Sequence, residues 1–285
     1  MNIIIQWRIW ITDFYLKVYI FTNIYMPEGP EVLILTNYLK KNILGKKFTE
    51  IISNTKTKRE LPKPSKVIDV DCYGKLIHIK TEDYYVHIHL GITGWFIKKQ
   101  PKIYKYVILF GKSKFYLQDR RRFSSINIFS NETDHLNNIS KYGIDILRDK
   151  FTEANFLELL SNRRVNICAI LMNQKIFAGV GNYIKNDALY LSKISPYRKV
   201  NTLSEEEKKN LYDKIIFVAF SNVYDWFKTY KLEVPERIKK VAPKKLQVPY
   251  DFYVFDREKD NLNYTVILDK KHCGRRTYYV KEIQK

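Results

Sequence analysis

The chain has 285 residues, enough for two domains at roughly 100 to 200 residues each, and its 50 Lys and Arg against 30 Asp and Glu give a formal net charge of +20. An excess of this size points to a polyanionic partner, nucleic acid before an anionic membrane surface, and the 15% aromatic content supplies rings that stack on bases while cations hold phosphates. Three widely spaced cysteines, Cys72, Cys168 and Cys273, exclude a disulfide framework and a four-cysteine zinc site and fit a reducing, intracellular compartment.

An AT-rich genome would also enrich Ile, Lys, Asn, Tyr and Phe, so the partner has to be read from motifs rather than from charge. Residues 1–25 are rich in Ile, Trp, Tyr and Phe but interrupted by Arg8, Asp13 and Lys17. That makes a poor membrane span, and the stretch lacks the compact apolar core and small-residue cleavage site of a secretory signal. The expectation is initiation at Met26, with 1–25 outside the mature protein. A helix follows, with Pro30 suited to a first turn and Val32, Leu35 and Leu39 on one face.

From 65 to 130 the sequence predicts strands over 66–72, 75–81, 84–90, 104–110, 114–119 and 123–129, punctuated by Gly74, Gly94 and Gly111, the pattern of a β-sandwich or barrel. His87 and His89 share one face of a strand with no third ligand nearby in sequence, so packing or polar contacts are expected rather than metal. After about residue 150 helix-length segments take over at 153–160, 165–174, 183–192 and 205–230. Ser204 and Glu207 form a capping-box pattern at the start of the last.

Between two of these helices, Ala178-Gly179-Val180-Gly181-Asn182 permits a tight turn from which the next helix can offer free amides to a phosphate. The tail at 250–285 returns to β character, with Asp260-Asn261 as a hairpin turn. This predicts an α+β protein: an N-terminal β-sandwich domain with a leading helix at 26–149, a C-terminal helical domain at 150–249 and a terminal β-hairpin at 250–285.

Met26-Pro27-Glu28-Gly29-Pro30-Glu31-Val32 resembles the amino terminus of the formamidopyrimidine-DNA glycosylase and endonuclease VIII family after removal of the initiator methionine. Further matches follow in family order. Gly74-Lys75 is similar to the turn carrying that family's catalytic-domain lysine. His89-Leu90-Gly91-Ile92-Thr93-Gly94 is similar to its void-filling loop, with Ile92 at the bulky position. Asp119-Arg120-Arg121-Arg122-Phe123 resembles its Asp-Pro-Arg-Arg-Phe, with Arg120 in place of proline.

The run from Leu171 to Lys175, with Gly179-Val180-Gly181-Asn182-Tyr183 and Asp187-Ala188-Leu189, is similar to the helix-two-turn-helix motif. Asn173 and Asp187 there replace Asp and Glu. Gly274-Arg275-Arg276-Thr277-Tyr278-Tyr279 with Gln284-Lys285 resembles the second strand of the zinc-finger hairpin. Val280 stands where cysteine is expected, and no Cys-x-x-Cys occurs, which is the pattern of the zincless-finger, endonuclease VIII-like branch.

The resemblance implies a bifunctional DNA glycosylase and apurinic/apyrimidinic lyase that excises oxidised bases. Pro27 would be the nucleophile, Glu28 the acid/base beside it, and Glu31 a supporting group at the helix start. Ile92, Arg121 and Phe123 would fill and brace the space left by a flipped nucleotide. Lys75, Lys175, Asn182 and Arg275 would hold phosphates, Arg275 and Arg276 being separated by one register step. The implied partner is damaged double- or single-stranded DNA, with no cofactor, metal or membrane, and a monomeric protein. Two alternatives stand beside this reading: a noncatalytic damaged-DNA-binding protein with a blocked N-terminus, and a structural nucleic-acid module. The Lys- and Pro-rich stretch 231–249 lies where some family members carry a lesion-covering loop.

Overall fold

A computed structural model describes residues 27–54, 58–59 and 61–285, and the expected 1–25 extension lies outside the described residues. The described chain forms two compact units, Pro27 with residues 31–139, and residues 28–30 with residues 140–285.

The first unit holds most of helix α1 (Gly29–Ile43), with Glu31 in its first turn and Lys40 and Lys41 in its last, each placed to complement the helix dipole. Val32, Leu33, Ile34, Leu35, Leu39 and Ile43 are buried, a wider apolar face than the expected stripe. Tyr38 meets Phe115 edge to face at 6.2 Å.

Two antiparallel layers form the sandwich. One runs β6 (Trp95–Ile97), β8 (Ser113–Gln118), β7 (Tyr106–Phe110) and β1 (Lys47–Ser53), with β2 (Lys58–Arg59) beside β1. The other runs β3 (Ser65–Tyr73), β4 (Leu76–Thr81), β5 (Tyr85–His89) and β9 (Ser125–Phe129). They join where β1 and β3 pair at Lys47 with Lys66 and Phe48 with Ser65.

Strand β1 did not show as a strand in the sequence because an irregularity between Phe48 and Glu50 breaks its alternation. An extra residue moves every later side chain to the other face. The same device between Val67 and Asp69 in β3 puts Val67 and Val70, three apart, both in the core. Phe48, Phe110 and Phe115 fill the interior, with Phe48 and Phe110 4.7 Å apart. A short helix α2 (Glu132–Ile139), not anticipated, sets His135 against β5, where His87 Nε2 and His135 Nδ1 lie 2.7 Å apart and Asn138 Oδ1 faces His87 Nδ1 at 3.1 Å.

The second unit contains α3 (Glu153–Leu160), α4 (Ile167–Met172), α5 (Asn182–Leu191), α6 (Glu205–Tyr230) and α7 (Glu236–Val241). Parallel β10 (Ile144–Asp145) and β11 (Phe177–Ala178) pair within it, as do antiparallel β12 (Ile267–Asp269) and β13 (Thr277–Tyr279). Thr152 caps α3, and Ser204 with Glu207 forms the expected capping box on α6.

Helix α4 is shorter than the 165–174 expected. Asn166 takes the cap position and accepts from the amides of Cys168 and Ala169, while Asn173 is extended at the other end. The 250–285 segment holds only two three-residue strands, and Asp260 turns the chain by accepting from the amides of Leu262 and Tyr264. Its interior is built from Tyr190, Val254, Val266, Tyr278 and Val280. No helix among the described residues is long and apolar enough to cross a membrane.

Candidate DNA-binding and catalytic site

In the second unit, Glu28 is 1% exposed and faces the glycine turn. Its Oε1 accepts from the Tyr183 amide at 2.8 Å and its Oε2 from the Ile184 amide at 3.4 Å, so a carboxylate from the Pro-Glu-Gly segment satisfies the N-terminus of α5, where the helix dipole favours negative charge. This corrects the expectation that those amides stand free for a phosphate: two of them are taken by Glu28.

Gly179, at φ +98°, adopts a backbone conformation that favours glycine, and its carbonyl accepts from the Gly29 amide at 2.9 Å. Gly181 is extended, and here glycine is required for space rather than for φ. Gln174 ties the turn together, donating through Nε2 to the Val180 carbonyl at 2.7 Å and accepting through Oε1 from the Gly179 amide at 3.1 Å. Gln174 lay inside the quoted motif, but nothing in its spacing assigned it this work.

Asn182 opens α5 but does not cap it, since Gly181 holds the cap position. Its buried Oδ1 has no hydrogen-bond partner among the described residues. Lys175 is exposed, and its amide donates to Asn173 Oδ1 at 3.0 Å, so Asn173 shapes the loop locally. Asp187 is fully buried and accepts from the amides of Tyr253, Val254 and Phe255 and from the Tyr250 hydroxyl. Burial drives its pKa upward, against the lowering effect of those donors. Arg275 and Arg276 are both exposed.

In the first unit, Pro27 and Glu31 are buried. Lys75 is half-buried in the two-residue turn between β3 and β4, where Gly74 has φ +56°. The loops carrying Ile92 and Phe123 are brought together. A Cβ on Gly91 would lie 2.6 Å from the Phe123 carbonyl carbon, and fully buried Asp119 joins the two loops. Its Oδ1 accepts from the Thr93 hydroxyl at 2.7 Å and its Oδ2 from the Ser124 amide at 2.7 Å, while Thr93 Oγ1 accepts from the Arg121 amide at 3.1 Å.

Lys105, which sequence reasoning did not single out, donates from β7's approach to the carbonyls of Arg122 (2.9 Å) and Ser124. The outcome is an exposed apolar ring on a hydrogen-bonded loop: Phe123 is 57% exposed, and the Arg121 guanidinium sits 5.3 Å from its centroid.

The chain thus carries an antiparallel sandwich with a basic, aromatic-tipped loop, and a helical unit whose glycine turn receives Glu28 and Gly29. Residues 26–126 match the family model described as the formamidopyrimidine-DNA glycosylase N-terminal domain, and residues 142–224 the model of the formamidopyrimidine-DNA glycosylase H2TH domain.

A formamidopyrimidine-DNA glycosylase of Wolbachia pipientis is 32% identical over 201 residues, covering 65% of this chain and 74% of that protein. One of Rickettsia conorii is 27% identical over 281 residues, covering 91% and 99%. The crystal structure of the MutM (Fpg) protein of Thermus thermophilus superposes with a TM-score of 0.75 at 22% identity, over 90% of this chain and 98% of that one. The Lactococcus lactis Fpg mutant in complex with a Fapy-dG containing DNA gives 0.74 at 22% identity, over 91% and 100%. The chain belongs to the formamidopyrimidine-DNA glycosylase family. These names give the family and do not reach down to the endonuclease VIII-like branch.

Proposed function

We propose that this DNA repair glycosylase is bifunctional, releasing an oxidised base and then cutting the strand through an iminium formed at Pro27. The observation that carries the reading is Glu28 seated on the amides of Tyr183 and Ile184, which ties the residue that follows Pro27 in sequence to the glycine turn within the second unit.

The reading requires Pro27 to be the first residue, because as an amide its nitrogen has no nucleophilic lone pair. A free N-terminal amine titrates near ~8, against about 10.4 for lysine, so a neutral fraction exists at pH 7. That secondary amine attacks C1′, the base leaves, and the resulting iminium acidifies the C2′ protons, allowing β- and then δ-elimination of the flanking phosphates. Glu28 protonates the opening sugar and afterwards shuttles protons.

Glu31 supports the start of α1 from its first turn. Lys75, Lys175, Asn182 and Arg275 hold the kinked backbone, and Ile92, Arg121 and Phe123 occupy the space left by the flipped nucleotide. Oxidised pyrimidines and ring-opened or further-oxidised purines are the preferred lesions in this reading.

Protein beginning at Pro27 is expected to form a borohydride-trapped adduct with abasic DNA, and Glu28→Gln to slow base release more than cleavage of a preformed abasic site. Full-length protein retaining 1–26 is expected to bind DNA but trap poorly. Equal trapping by the uncut full-length chain, verified by mass spectrometry, would remove Pro27 as the nucleophile and turn attention to a lysine such as Lys75. Absence of trapping in both forms would favour a noncatalytic damage-binding protein.

A further inference from the structure

Helix α5 carries three consecutive buried polar residues, Lys185, Asn186 and Asp187. Successive residues lie about 100° apart around a helix, so three buried in a row mean that α5 is enclosed on several sides. Each reaches into the carboxyl-terminal segment. Asp187 gathers the amides of residues 253–255, Asn186 Oδ1 accepts from the Tyr278 amide at 3.3 Å, and Lys185 Nζ donates to Thr277 Oγ1 at 3.0 Å and to the Arg276 carbonyl at 3.4 Å.

Lys185 is the unusual member. It is 0% exposed and takes part in none of the ion pairs found among the described residues. Burying an ammonium without a carboxylate in contact is costly, and such a group is expected where its geometry matters. What it grips is the pair of residues immediately after Arg275. Thr277, itself fully buried, passes the contact on: its hydroxyl accepts from Lys185 and donates to the Arg275 carbonyl at 3.5 Å.

The hairpin cannot hold this segment alone. It pairs only three residues on each side, from Ile267 with Tyr279 to Asp269 with Thr277, and a short two-stranded ribbon is marginal in water. Its connection includes Cys273 at φ +50°, an uncommon conformation for a residue with a Cβ.

We propose that Lys185 is a positioning residue that fixes the Arg275 segment for contact with a DNA phosphate, the anchoring that thiolate-bound metal provides in a four-cysteine finger. The inference rests on the reading of Arg275 as a phosphate contact. Burial also holds the Lys185 pKa below the usual lysine value. The charged and titratable groups around it are Glu28, the Cys168 thiol on α4, the Cys273 thiol and Arg275. Both thiols are pushed upward by burial, Cys168 to about 12.

The test is equilibrium binding to a duplex bearing a tetrahydrofuran abasic analogue, from 50 to 200 mM salt, with wild type, Arg275→Ala, Lys185→Met, Thr277→Val and the Lys185→Met/Arg275→Ala double variant. Arg275→Ala is expected to lower the log–log salt slope by about 0.9, the contribution of one phosphate contact on B-DNA. Lys185→Met should lower it similarly, with no further loss in the double variant, and Thr277→Val should move it in the same direction. Thr277→Val, which removes only a hydroxyl, decides the matter where Lys185→Met fails to fold. Raising the pH should lower the wild-type slope before surface lysines titrate and leave Lys185→Met flat in that range.

An unchanged slope in Thr277→Val, or additive losses in the double variant, overturns the proposal while the phosphate role of Arg275 stands. An unchanged slope in Arg275→Ala overturns that role, and the proposal with it.

Discussion

Glu28 and Gly181 are in mutual contact so close that position 181 admits no side chain: a Cβ there would lie 2.1 Å from Glu28 Cδ and 2.3 Å from Oε1. The acidic residue nearest the expected nucleophile therefore owes its position to a glycine 153 positions further along the chain. Gly181→Ala is expected to push the carboxylate off the amides of Tyr183 and Ile184. Charge-assisted hydrogen bonds contribute roughly 1.5–3 kcal/mol each, so a loss of about 2 kcal/mol in stability should accompany a fall of at least about tenfold in base release. Combined with Glu28→Gln the effects should not add. Additive losses, read by single-turnover kinetics, would mean that Gly181 acts through something other than Glu28.

Asp119 organises the loops bearing Arg121 and Phe123 through Thr93 and Ser124. Removing its carboxylate leaves buried donors without acceptors, at about 1–3 kcal/mol for each. Asp119→Ala is therefore expected to lower the thermal midpoint and to weaken binding to a duplex lesion, with Thr93→Val doing the same more mildly. Calorimetry and fluorescence anisotropy measure the two effects. Duplex-lesion affinity as strong as wild type in folded Asp119→Ala would separate the loop tips from DNA bracing.

Acid should destabilise the first unit through its histidines. Burial pushes His87 down to about 4, with the positive charges of His135, His78 and His89 lowering it further against the hydrogen bond His87 Nδ1 donates to Asn138 Oδ1, and burial also lowers His89 and His135. In the unfolded chain histidine takes up its proton near ~6.5. Between there and about pH 4 the unfolded state holds more protons, so stability falls as pH falls through that window. Urea midpoints between pH 7 and 4.5 should drop more steeply for wild type than for His87→Phe. Parallel slopes would show that His87 does not titrate on unfolding.

Much of the fold was legible because its signals are local. The bounds of α3 and α6 match the sequence reading, since caps and apolar period lie within a few residues of one another, and the strands from β3 to β9 fell within a residue or two of expectation apart from the three-residue β6. Strand β1 was missed because a bulge scrambles its alternation, and the short helices α2 and α7 were not read from the sequence. In the candidate site, Ile92, Arg121, Phe123, Lys175 and Arg275 were named from motifs, and their half-buried or exposed positions leave the DNA-contact roles open to test.

By itself the sequence determined the family, the order of sandwich before helical unit, and the residue types available for the chemistry, because these follow from motif identity and short-range pattern. Only the tertiary structure decided which groups share a bond. Glu28 meets the Tyr183 amide across 155 positions, Lys185 meets Thr277 across 92, and His87 meets His135 across 48. No local pattern encodes such pairs. Burial then turned an ordinary-looking lysine in helix α5 and a strand histidine into groups with displaced proton affinities, since desolvation depends on every element packed around a side chain and not on its sequence neighbours.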